Sequence, residues 1–346
     1  MYHTRQTENN QPDNCIQYLD FLRFLAISMV ILLHIVSGIT DTIASQMTIP
    51  QYQVYMIIKN ICSCGVPIFL MISGALFLKP SKEISLSLLF KKYIRRIALA
   101  LLLFGSCFSL MEIIITTKHF SISYIPKAFI NMVQGNTWAH MWYLYAILGI
   151  YLFLPLLKTF TFHAAKETLG YVCLLLFTCG SLIPFFAQVL HFEIGIIFPI
   201  SSIYLFYFFV GHYLHSYPLC SKPLAVSMIF LSIVSVIIIV CNQLQFWVMD
   251  ISYSSPIIII LSVTLFYYCG KIKKVWTICS IWRPYYFSMY LVHTFFLNIA
   301  YKFLDITPLL LGGYILIPVF FIMTFLLSLL SAWLMSKIPI LKKYVL

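Results

Sequence analysis

The chain has 346 residues, of which 62% are hydrophobic and only 9% charged, with a mean hydropathy of +0.95 and a formal net charge of +12. A soluble domain carries about 25% charged residues, so this composition excludes a water-soluble globular protein and points to the bilayer. The basic excess does not indicate nucleic acid, because Lys and Arg are confined to short loops between apolar runs, as membrane orientation requires.

In chain order, residues 1–15 read as a polar cytoplasmic tail and residues 16–346 as a single membrane domain. Apolar runs of spanning length follow at 17–37, 54–78, 97–116, 140–158, 168–190, 200–216, 223–243, 252–270, 284–304 and 313–335. The expected fold is therefore an all-α integral membrane protein with about ten transmembrane helices in one bundle. An even count puts both termini on one side. With the termini cytoplasmic, seventeen of the twenty-two basic residues fall inside, which fixes that orientation. The ten cysteines are scattered, and neither a disulfide framework nor a metal site is expected.

The first apolar run, QYLDFLRFLAISMVILLHIVS, is interrupted by Asp20, Arg23 and His34. Ionisable groups inside a membrane helix cost a few kcal/mol each and survive where they face a bundle interior and act. Arg23 and His34 are eleven residues apart, on one helix face and about 16 Å from each other along the axis. Asp20 precedes Arg23 by three residues, the spacing at which a carboxylate pairs with the guanidinium.

In the second helix, GVPIFLMISGALF at 65–77 carries Pro67, a candidate kink, and Ser73-Gly74, which permits close packing. The link LFKKYIRRIAL at 89–99 gathers Lys91, Lys92, Arg95 and Arg96 within two turns. Such a cluster grips phosphates, or it simply marks the cytoplasmic side. Glu112 in the third helix lies about 24 Å beyond Arg96 at helical rise, near the expected depth of His34, and either holds a structural hydrogen bond or orients a histidine. The outer loop 117–139 and its end contribute Tyr124, Asn131, Gln134, Asn136, Trp138 and His140, a sugar-binding surface or an interfacial aromatic belt. His293, midway along the ninth helix, is either catalytic or hydrogen-bonded to a neighbour, while His212 and His215 are assigned no chemistry.

YLDFLRFLAISMVILLH resembles the opening helix of the acyltransferase 3 family, in which an arginine, ten residues and a histidine recur; Arg23 and His34 match that spacing. GVPIFLMISGALF, KKYIRR at 91–96, HMWYLYAILGIYLFLPLL at 140–157, FYFFVGHYL at 206–214 and FSMYLVH at 287–293 follow in the family's order. The chain most resembles short stand-alone members such as enterobacterial-common-antigen O-acetyltransferases and intercellular-adhesin modification proteins. One departure stands out: the family's arginine, two residues, arginine is here Lys92-Tyr93-Ile94-Arg95. The resemblance implies a bacterial plasma-membrane O-acyltransferase that moves an acyl group from cytoplasmic acetyl-CoA, or a related acyl-CoA, to a hydroxyl of a surface polysaccharide or its lipid-linked sugar precursor. In that scheme His34 is the base, Arg23 stabilises charge or anchors the donor, Asp20 holds Arg23, Glu112 and His293 complete the catalytic set, and Lys91, Lys92, Arg95 and Arg96 meet the donor phosphates. Membrane lipids and the glycan are the expected partners. The rival class is a flippase or transporter exporting the glycan without bond chemistry, against which the sequence shows no inverted repeat.

Overall fold

A computed structural model describes residues 14–193, 202–217, 221–246, 249–272 and 276–345. Most of the expected tail, and with it Arg5, as well as Lys273 and Lys274, lie outside the described residues. The described residues contain helices and no strands. The longer ones are α1 (Asn14–Thr40), α2 (Ile49–Cys62), α3 (Gly65–Phe77), α4 (Leu86–Thr117), α5 (Tyr124–Val133) and α6 (Ala139–His163), then α7 (Lys166–Val189), α8 (Ile203–Ser216), α9 (Lys222–Gln243), α10 (Pro256–Cys269), α11 (Tyr286–Asn298) and α12 (Leu316–Met335), with short helices at Thr277–Ile281 and Pro339–Tyr344.

Seven helical stretches among the described residues are long and apolar enough to cross a bilayer: Gln17–Thr40, Ile49–Phe77, Leu86–Thr117, Ala139–His163, Lys166–Val189, Lys222–Gln243 and Leu316–Met335. The other three expected spans appear as α8, α10 and α11: α10 is apolar but short, α11 continues through the turn Ile299–Phe303, and residues 200 and 201, where α8's span was expected to begin, are not described. These three are mostly buried against other helices, so protein rather than lipid surrounds them. By contrast, the side chains of α9 face outward almost everywhere, as a lipid-facing helix requires.

Local signals explain several boundaries. Thr48 caps α2 in a reciprocal capping box with Gln51. The second span does not kink at Pro67 as expected. The chain breaks at Ser63-Cys64, and Pro67 falls in the first turn of α3, where its missing N–H leaves no hydrogen bond unmade. Ser73-Gly74 does mark close packing: a Cβ on Gly74 would stand 1.8 Å from the carbonyl oxygen of Phe208 in α8. α1 is the central helix, touching α2, α3, α10, α11 and α12.

Contacts sort the loops into two ends. Lys158 donates to the carbonyls of Phe77 and Lys79, and Arg96 donates to Val345, so the 77–96 region, the end of α6 and the carboxy-terminal segment share a basic end. At the far end Lys59 pairs with Asp41, Gln51 donates to Gly312, and Lys302 pairs with Glu112.

Candidate active site

α1 delivers Asp20, Arg23 and His34 into the bundle, the first pair near the basic end and the histidine farther along. Asp20 is buried and ion-paired with Arg23, as the three-residue spacing predicts. Its other oxygen, Oδ2, lies 3.6 Å from Nε of Arg283, too far for a hydrogen bond, and has no hydrogen-bond partner among the described residues. Asp20 engages one donor of Arg23 and reaches Arg283 only at ion-pair distance, and each guanidinium has five N–H groups, more than this one carboxylate engages, to offer an anion.

Arg23, Arg96 and Arg283 all line one cavity of about 450 Å³ that runs from the basic end towards the centre of the bundle. Three guanidiniums against one buried carboxylate leave it net positive. Its walls are otherwise apolar and aromatic, among them Ile72 and Phe77 from α3, Tyr93 from α4 and Tyr151 from α6. Its inner end is formed by Tyr143 and Tyr290, whose rings meet edge to face at 5.5 Å.

The basic loop divides at this cavity. Arg96 lines it, stacked 4.7 Å over Phe287, whereas Lys91, Lys92 and Arg95 are exposed at the surface and none of them is in its wall. Two irregular turns within α4, Leu89–Ile94 and Leu101–Gly105, hydrogen-bond from residue i to i+5; Tyr93 lies in the first and Arg96 just after it, and both line the cavity. Lys82 stands at the same end, 4.2 Å over the Phe77 ring; burial first, then the nearby Lys158 and Lys92, hold its ammonium pKa below the usual value.

Beyond Tyr290 the structure gathers three histidines from three helical segments. The rings of His34 and His293 are 4.9 Å apart, His140 and His293 5.3 Å, and His34 and His140 6.1 Å. Backbone carbonyls determine their tautomers, because a carbonyl can only accept. Nδ1 of His34 lies 2.8 Å from the Val30 carbonyl and Nδ1 of His293 lies 2.7 Å from that of Tyr290, so both Nδ1 atoms carry the proton. His293 then presents its Nε2 lone pair to Nδ1 of His34 at 3.3 Å. Nε2 of the half-buried His34 is left as a free lone pair with no partner among the described residues. A base whose far nitrogen is held by a fixed acceptor is the arrangement general-base catalysis needs.

His140, read in the sequence as part of an outer surface, is buried in this cluster. Nε2 of His140 faces the Leu291 carbonyl at 3.3 Å, the Thr294 hydroxyl lies 3.1 Å from Nδ1, and Tyr290 donates to the His140 backbone oxygen. Both ring nitrogens are thus engaged, and the residue fastens the start of α6 to α11. Its neighbour Trp138 is stacked on Phe108 at 4.3 Å, and Asn131 donates to Ser109, so this loop turns much of its polar and aromatic content inward.

Glu112 orients none of the histidines. Its carboxylate receives Nε1 of Trp138 at 2.9 Å and Nζ of Lys302 at 2.7 Å, which ties α4 to the loop and to the end of α11. Of the expected catalytic set, then, Asp20, Arg23, His34 and His293 converge along α1 and α11, and Glu112 stands apart. Arg283 and His140 were missed. Read from the sequence, Arg283 is only one of the seventeen inside basic residues, and His140 belongs to a segment whose neighbours look interfacial. Among the described residues no cluster of metal-binding side chains is present.

No curated protein and no solved structure matches the chain. The family model described as an acyltransferase domain matches residues 16–337, nearly the whole chain, including every residue of the site just described. The chain therefore belongs to the acyltransferase 3 family and is a membrane acyltransferase.

Proposed function

We propose that the protein is an O-acyltransferase of the bacterial plasma membrane, with its basic end cytoplasmic, taking an acyl group from acetyl-CoA or a related acyl-CoA and passing it to a hydroxyl of a surface polysaccharide or its lipid-linked precursor. The observation that carries this reading is the free Nε2 of His34 on the same helix as the arginine-lined cavity. A bound acyl-CoA would supply the activated acyl group as a thioester.

The cavity suits such a donor. Its net positive charge attracts an anion, its apolar walls accept an acyl chain, and Arg23 and Arg283 carry more N–H donors than the single Asp20 carboxylate engages. A sugar hydroxyl has a pKa far above neutrality and attacks a carbonyl only as its proton is withdrawn. His34 takes that proton at Nε2 and becomes an imidazolium. The Val30 carbonyl and the His293 Nε2 lone pair, both facing Nδ1–H, stabilise the positive ring, as the third member of a catalytic triad does. The same proton then serves the departing thiolate. Arg23, about 16 Å away along α1, is too distant to act on that proton and belongs to donor binding.

Mass spectrometry of surface glycans from cells with and without the gene is the direct test. O-acyl groups present only with the gene support the transferase. Glycan that stays inside the cell without the gene, and carries no acyl group in either strain, would instead support the flippase.

A further inference from the structure

A second cavity, of about 290 Å³, lies at the far end between the close of α1, the turn Ala44–Gln46 and the chain after α11. Tyr301 forms one wall, and it belongs to the widened turn Ile299–Phe303 that prolongs α11. Its hydroxyl donates to the carbonyl of Ile35, the residue beside His34, at 3.2 Å. Its ring edge lies against Gly38, where a Cβ would stand 2.8 Å from it. Gly38 is one turn beyond His34 on the same helix face. The cavity therefore opens about one helical turn beyond His34, and Tyr301, in its wall, rests where the helix has no Cβ.

The lining specifies a chemistry. Asp305, Gln46 and Thr42 supply polar groups, while Ile39, Leu310 and the Tyr301 ring supply apolar walls. Among the described residues no Lys or Arg lines the cavity. Lys302, next to Tyr301 in the chain, is held by Glu112 at 2.7 Å. A lone carboxylate repels phosphate and carboxylate ligands and accepts hydrogen bonds from hydroxyls. Apolar walls with a few convergent polar groups are the usual make-up of a ligand pocket, and this volume sits at the small end of the usual range of about 300–1,000 Å³. A single sugar unit fits that description. Asp305 is held at φ +54°, and the backbone N–H of Ile306 donates to Ala300 at 2.9 Å, closing the widened turn just beneath it.

We propose that this cavity seats a neutral sugar unit of the acceptor, its hydroxyls on Asp305 and Gln46 and its C–H face on Tyr301, which swings off Gly38 to admit one hydroxyl to His34. The proposal rests on the O-acyl transfer reading above. The test places a cysteine at Leu310 in the cavity wall and another at Lys127 on α5, at the far end but outside the cavity, and treats whole cells with a bulky membrane-impermeant maleimide. Wild-type cells are treated in parallel to cover the exposed native Cys107. Newly made surface glycan is then analysed for O-acyl groups. Labelling should lower acylation at least tenfold in Leu310→Cys cells relative to the same cells unlabelled, and leave Lys127→Cys and wild-type cells unchanged. Asp305→Leu should lose acylation by a similar factor and Asp305→Asn by less, while purified Asp305→Leu protein binds acetyl-CoA as the wild type does. Failure of the Leu310→Cys site to label from outside overturns the proposal, as does labelling without effect or full acylation in Asp305→Leu, and each leaves the transferase reading intact. A wild-type strain whose glycan carries no acyl group removes that reading and the sugar site with it.

Discussion

Two helix interfaces in this bundle are built on opposite principles. Between α3 and α8 the backbones touch: a Cβ at Gly74 would stand 1.8 Å from the Phe208 oxygen, and one at Gly211 would stand 2.1 Å from the Met71 oxygen. Between α1 and α11 the helices meet instead through polar side chains, His34 against His293, with a cavity on each side of the histidine layer. Lipid supplies no hydrophobic drive for helices to associate, so close backbone approach provides dispersion contacts that larger side chains would prevent. The glycine seam makes α3 an immovable wall, and the opposite face of α3 lines the arginine cavity through Phe69, Ile72, Ser73 and Phe77. The loosely filled interface then has a fixed surface to work against.

Breaking the seam should have the largest effect. Gly211→Val forces a side chain into the Met71 backbone, which cannot rotate away. The cost should lie at or above the upper end of the usual overpacking penalty of about 1–3 kcal/mol. Thermal denaturation of the purified variant should show a large loss of stability or no folded protein. Gly149→Ala, with nothing within 4 Å of the added atom, should denature as the wild type does.

On the other side of the comparison, His34→Gln should leave the fold and donor binding intact and reduce acyl transfer by about 10²- to 10⁴-fold, the usual worth of a general base. His293→Gln should cost less, because the Val30 carbonyl still holds Nδ1 of His34. Full acylation of surface glycan in His34→Gln cells would remove this residue from the chemistry. Arg23→Lys keeps the charge and loses the planar fork that faces Asp20, so acetyl-CoA affinity should fall about tenfold, or about 1.4 kcal/mol, in a direct binding measurement, with turnover at saturating donor nearly unchanged.

The sequence makes one of these two interfaces far more readable than the other. Asp20, Arg23 and His34 share one helix, and helical periodicity alone aligns them. Small residues at Ser73-Gly74 announce a close contact, although not that Gly211 is its counterpart. Which helices meet across the site depends on tertiary packing, and no local signal pairs His293 with His34 or Arg283 with Asp20. Glu112 shows the same limit: depth along a helix gave its height, and its azimuth turned it towards Lys302 and Trp138 instead. His140 was hidden for a related reason, since an aromatic-rich segment at a membrane boundary reads the same whether its side chains face lipid or the core. Length is a weaker guide for α8, α10 and α11, which are largely shielded by protein, than for the helices that face outward.

The smallest effects separate the cavity from the surface that surrounds it. Arg96 is half-buried in the cavity wall, whereas Lys91 and Lys92 are exposed on the same turn region. If all three attract the donor's phosphates, they do so through different media. Exposed charges act through water and are screened within about 8 Å at physiological ionic strength, while a partly buried guanidinium is screened much less. Replacing Lys91 and Lys92 together by Gln should therefore weaken acetyl-CoA binding only a few-fold at low salt, with the difference vanishing near 0.5 M salt, on the order of a 4 Å screening length. Arg96→Gln should weaken binding more, and its deficit should persist as salt rises. A donor affinity measured across a salt series in both variants would thus show whether phosphate attraction resides in the wall or in the surrounding field; equal, salt-sensitive losses would assign Arg96 to the surface group and leave Arg23 and Arg283 as the cavity's own cations.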